Sequence, residues 1–162
     1  MKLNRQVLPL NKPVNFDDDI DYSKYDFDPN YIRGIPTCHV ELEATQYEDL
    51  LRCYAKIKAK VIAVCAYTLE DVELDINVSD ELNFTDDPED ESSNYAPENI
   101  IDLDDYILAL ILAQIPPKVI KKGAKLPEDG NGYRVLTEAE LAKERENKTD
   151  SRWDALDNLD LD

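Results

Sequence analysis

From Cys38 to Phe84 apolar and polar residues alternate in three successive runs, the densest pattern in the chain. Cys38, Val40, Leu42 and Ala44 share one parity, and His39, Glu41, Glu43 and Thr45 share the other. A period of two is the signature of a strand buried on one face. The second run sets Cys53, Ala55, Ile57, Ala59, Val61, Ala63 and Cys65 against Arg52, Tyr54, Lys56, Lys58 and Lys60, until Ile62 and Val64 make both faces apolar. In the third, Val72, Leu74, Ile76 and Val78 alternate with Glu73, Asp75, Asn77 and Ser79, and Leu82 and Phe84 keep the parity. Three amphipathic strands with short connections predict an antiparallel meander with one dry face.

The flanks are less regular. A short opening strand is predicted over Leu3 to Leu10, and the Asp- and Tyr-rich stretch from Asn15 to Tyr31 reads as a long connection whose aromatics lie across the sheet. Residues 85–98 are acidic and poor in apolar side chains, which predicts a mobile linker. Asp102 is placed to cap a helix over Leu103 to Gln114, apolar at nearly every position after Tyr106 and so expected to be buried against the sheet. Pro116 and Pro117 end it. Residues 134–162 read as a polar helical tail: Thr137 and Glu140 fit a capping box for a helix to about Asn147, and Asp150 caps a segment with Trp153, Leu156 and Leu159 at helical spacing. The expectation is one α+β domain over residues 1–162, an antiparallel sheet of about four to six strands with one buried helix and a short helical tail.

Charge then narrows the function. The 162 residues carry 36 acidic and 18 basic side chains, a formal charge of -18, and that field repels phosphates at long range. No apolar run reaches the length of a membrane span, and no leader-like apolar stretch follows Met1. Three cysteines, Cys38, Cys53 and Cys65, read as free thiols in a reducing compartment, and the expected location is the cytoplasm. His39 is the one histidine and lies on a polar strand face; four glycines form no phosphate-binding loop; no Cys-x-x-Cys pair is present. The chain is therefore read as a non-enzyme with no cofactor, no metal site and no small-molecule substrate.

Two basic features interrupt the acidic background. Arg52, Lys56, Lys58 and Lys60 line the polar face of the second strand, where Glu41, Glu43, Glu73 and Asp75 on the neighbouring strands are matched to them by cross-strand pairing. Lys118, Lys121, Lys122 and Lys125 form a loop with no matching acidic strand, the better candidate for contacting RNA phosphates, with the stripe of Arg52, Lys56, Lys58 and Lys60 as the other candidate.

At Cys65-Ala66-Tyr67-Thr68-Leu69-Glu70-Asp71-Val72 the chain resembles the YceD family of large ribosomal RNA accumulation proteins, whose hallmark is Cys-x-Arg-Cys-Leu-Glu-x-Val between two long strands. Ile100 to Pro116 looks like the family's helix and following proline, and Asp150-Ser151-Arg152-Trp153 through Leu159 looks like its ending, so the likeness covers roughly Pro36 to Leu159. Cys65, Leu69, Glu70 and Val72 are the motif positions that match. Thr68 stands in place of the second cysteine, Tyr67 in place of the arginine, and the cysteine-rich segment of many members is missing between Pro117 and Asp150. One thiol does not supply a metal site. The resemblance implies a non-catalytic factor for accumulation of large-subunit (23S) ribosomal RNA, acting on an rRNA precursor or on a basic ribosomal protein. The alternative is an acidic module that shields a basic partner without touching RNA.

Overall fold

The computed structural model describes residues 1–146 and comprises two compact units, Met1–Lys121 and Lys122–Asp162, the second described as far as Glu146. The segment of Asp150, Trp153, Leu156 and Leu159 lies outside the described residues.

The first unit is α+β. Its strands are β1 (Lys2–Asn4), β2 (Pro13–Asp19), β3 (Ile32–Gln46), β4 (Leu50–Val64), β5 (Asp71–Thr85), β6 (Asn94–Tyr95) and β7 (Ile100–Asp102), and its helix is α1 (Asp104–Ala113). The three alternating runs are β3, β4 and β5, antiparallel neighbours of 15 residues each. They are longer than the alternation alone suggests, because Ile32 to Pro36 and Leu50 to Arg52 continue the ladder at the ends. The sheet has five strands in the order β2-β3-β4-β5-β6, and β1 and β7 form a separate antiparallel pair.

One parity of β3 and β4 is dry throughout: Val40, Leu42, Ala44, Leu51, Cys53, Ala55, Ile57 and Val61 are fully or almost fully buried. Leu3, Ile20, Tyr22, Ile101, Leu103, Ile107 and Ile111 belong to the same core, so β1, β7, α1 and the turn after β2 cover that face. Tyr22 donates its hydroxyl to the Asp104 carbonyl at 2.9 Å, and its ring meets Tyr25 edge-on. Phe84 meets Tyr106 edge-on at a centroid distance of 4.9 Å. These contacts fasten the helix to the sheet with directed as well as apolar interactions.

Several expectations are corrected. The opening strand stops at Asn4, where the Asn4 side chain accepts the Gln6 N–H and starts a turn of 3-10 helix over Arg5–Val7; Leu10 makes only an isolated bridge to Gln46. The connection expected from Asn15 onward contains β2, in which Val14 and Phe16 give too short an alternation to stand out among aspartates. The sheet is not wholly antiparallel: in the stretch read as an acidic linker, Asn94 and Tyr95 pair in parallel with Phe84 and Thr85. Asp102 does not occupy the cap position of α1, which is Leu103, although its carboxylate still accepts the Asp104 N–H at 3.2 Å. The helix buries only Ile107 and Ile111, with Leu112 exposed, because one stripe of an α-helix is all that a sheet face covers.

In the second unit, α2 (Glu138–Glu146) is the polar helix expected after Thr137. The capping box forms in both directions: the Glu140 N–H donates to the Thr137 hydroxyl at 3.1 Å, and the Thr137 N–H donates to the Glu140 carboxylate at 2.8 Å. The Thr137 N–H and hydroxyl, both donating to it at 2.8 Å, hold the Glu140 carboxyl below its ordinary range.

Candidate functional site

The polar face of the sheet is a lattice of opposed charges. Because β4 lies between β3 and β5, its outward cations are within reach, directly or diagonally, of carboxylates on the flanking strands. Lys58 meets Glu41 at 3.3 Å, Arg52 meets Glu81 at 3.5 Å, and Lys60 is hydrogen-bonded to Glu73 and lies 3.7 Å from Asp75. The two carboxylates raise the Lys60 ammonium above its ordinary value. Cross-strand pairing thus accounts for three of the four cations of the stripe. Lys56 makes no ion pair among the described residues, although the register sets Glu41 opposite it.

His39 and Cys38 face opposite sides of β3, as alternation requires. Cys38 is buried at 2% exposure, and burial pushes its thiol up to about 11; Cys53 rises to about 12 for the same reason. On the other face, His39 Nδ1 lies 2.9 Å from an Asp19 oxygen and Nε2 3.6 Å from an Asp17 oxygen. Sequence reasoning missed this bracket because it depends on β2 pairing in register with β3. A cleft of about 740 Å³ opens there, lined by Asp19, Thr37, His39, Lys58, Lys60 and Asp75. Asp19 is engaged with His39, Asp75 with Lys60 and Lys58 with Glu41, and the cleft's one thiol, Cys38, has its acidity suppressed. No group of three or more metal-ligating side chains is assembled among the described residues.

The loop lysines divide differently from the expectation. Lys121 is not without an acidic partner: its ammonium reaches Glu70 at 3.2 Å and, with the Thr68 hydroxyl, holds that carboxyl below its ordinary range. Lys118 stands 5.0 Å from the centre of the Tyr67 ring, within cation–π range. Glu70 and Tyr67 could not be matched to these lysines by sequence, since about fifty residues separate them. Lys122 and Lys125 open the second unit and are exposed.

The motif carried by Cys65, Leu69, Glu70 and Val72 forms the β4–β5 turn. The Cys65 N–H donates to the Glu70 carbonyl and the Leu69 N–H to the Cys65 carbonyl, both at 2.9 Å. Leu69 takes a left-handed conformation, φ 59°, which closes the turn. Cys65 is fully buried, yet the Lys121 N–H donates to its sulfur at 3.3 Å, and the Thr68 hydroxyl and the Tyr67 and Thr68 amides add to the stabilisation of the thiolate. These donors bring its thiol down to about 7. Thr68, which stands in place of a second cysteine, donates its hydroxyl to Glu70 at 3.2 Å and lies beside the Cys65 sulfur. Val72 is the second residue of the β5 ladder, opposite Ala63.

Fold and surface together define an acidic α+β protein whose long sheet is dry on one face and charge-paired on the other. The chain belongs to the YceD family, described as large ribosomal RNA subunit accumulation protein, whose family model matches residues 53–160. That span runs from within β4 through the Cys65 turn, β5, α1 and α2, and β3 lies before it. No curated protein and no solved structure matches the chain. Among the described residues, no helix is long and apolar enough to cross a membrane.

Proposed function

We propose that this protein supports the accumulation of large-subunit ribosomal RNA by binding a basic protein, foremost a protein of the large ribosomal subunit, without catalysing a reaction. The observation that carries this reading is the engagement of the cations: Arg52, Lys58, Lys60 and Lys121 are each held by carboxylates of the same chain. Phosphates would have to displace those carboxylates, whereas the surplus behind the charge of -18 attracts a polycation from a distance. The site of action that fits is the cytoplasm, where ribosomal proteins meet pre-rRNA.

Direct contact with pre-rRNA is the second reading, favoured by exposed Lys122 and Lys125, which make no ion pair among the described residues. Crosslinking the full chain in cells separates the two. Recovery of a basic ribosomal protein, unchanged when Lys118, Lys121, Lys122 and Lys125 are replaced by glutamate, supports the protein-binding reading. Recovery of rRNA alone, lost in that variant, overturns it.

A further inference from the structure

Among the described residues, two edges of the five-stranded sheet are open, and they differ. The β2 edge is short, starts at a proline and ends in three successive aspartates, of which Asp18 sits exposed on the inward parity. Prolines and inward-placed charges are how natural sheets discourage further pairing. The β5 edge has no such device over most of its length. β6 pairs only with Phe84 and Thr85, which leaves the ladder from Asp71 to Asn83 with β4 on one side and no strand on the other. Its inward row, Val72, Leu74, Ile76 and Val78, is contiguous and apolar, and three of these four are only half-buried, where a fully covered row would be dry. The interruption comes at Asp80, exposed on the inward parity.

The charge of this edge is as one-sided as its backbone. From Asp71 to Thr85 the strand contains acidic residues and no lysine or arginine. β4 shows what completes such a strand: apolar residues inward and cations outward, with Lys60 against Glu73 and Asp75 and Arg52 against Glu81. We infer that the open edge of β5 between Asp71 and Ser79 accepts an extended basic segment of a partner protein as a further strand, its lysines or arginines outward beside Glu73 and Asp75, whose side chains stay 55% and 73% exposed beside Lys60 and so have room for a second cation, and its apolar residues over Val72, Leu74 and Val78. Added strands gain affinity from the main chain and specificity from alternate side chains, and this edge supplies both. A second copy of the chain fits badly, because β5 laid against β5 sets carboxylates beside carboxylates. The inference rests on the reading that the partner is a basic protein.

The test uses the full chain and a synthetic peptide of alternating lysine and valine, with a scrambled peptide of equal composition as control. In the free chain, alternate amides from Val72 to Val78 exchange rapidly, since half of an edge strand's N–H groups face outward. Addition of the alternating peptide slows exchange there, and the scrambled peptide does not. The double change E73Q and D75N weakens binding roughly fivefold, the effect of two lost cross-strand charge pairs. Val78→Asp, an inward charge on the edge, abolishes it. Slow exchange in the free chain, protection elsewhere, or equal binding of both peptides overturns the inference. The parent reading fails separately: a basic protein crosslinked away from β5 leaves it standing, whereas rRNA as the sole crosslinked species removes both.

Discussion

Cys65 is unusual among the three thiols in being buried and acidified together. Cys38 and Cys53 lie among hydrocarbon, which disfavours the thiolate, whereas Cys65 lies among N–H and O–H donors, which favour it. The pH consequences have opposite signs. A thiol brought from 9.0 to about 7 ionises first in the folded state, so its contribution to stability is present above pH 9 and lost as the pH falls through 7. Thiols raised from 9.0 to about 11 and 12 make the folded state lose stability as the pH rises above 9. Urea midpoints measured from pH 6 to 11 should therefore climb between 7 and 9 and then decline, and Cys65→Ser should remove the climb alone. Leu69 is a second residue-scale test. Its φ of 59° is costly for a residue with a Cβ, and its side chain is 69% exposed, so Leu69→Gly should raise stability by about 0.5–1 kcal/mol in the same assay.

The elements owe their stability to different terms. β3 and β4 are held by the dry face: Leu42 is 2% exposed at the centre of the core, and Leu42→Ala should cost about 3 kcal/mol by lost transfer energy and a residual cavity. α1, with two fully buried residues, leans on its attachments, among them the bond from the Tyr22 hydroxyl to the Asp104 carbonyl. Tyr22→Phe should cost about 1 kcal/mol, with hydrogen exchange accelerated in α1 more than in β4. By contrast α2 buries nothing and depends on the Thr137–Glu140 box, so Thr137→Ala should lower helix content measured by circular dichroism with little change in the unfolding of the sheet.

Across the whole molecule, a charge of -18 works against compaction while Arg52, Lys58, Lys60 and Lys121 are tied into local pairs. Screening weakens both, but the unpaired surplus is larger and acts over longer distances. Raising sodium chloride from about 10 to 150 mM should therefore increase the thermal midpoint, as the Debye length falls from roughly 30 to 8 Å. The same salt should weaken association with any polycationic partner, a direction a scanning-calorimetry and binding series can check together.

What the chain determines by itself is written at a spacing of two to four residues. The parity of Cys38 to Phe84, the stop at Pro116 and the Thr137–Glu140 box each depend on neighbours a few positions apart, and local geometry turns such spacing directly into strand, helix end and cap. The cation stripe of β4 was legible for the same reason, since a hairpin register brings Lys58 and Lys60 to predictable acids. Tertiary structure alone decided the rest: that β2 brackets His39 with Asp17 and Asp19, that β7 pairs with β1, that Lys121 closes on Cys65 and Glu70, and that β5 keeps an open edge. Each joins or leaves unjoined segments far apart in the chain, where many pairings compete and the packing of the shared core selects one.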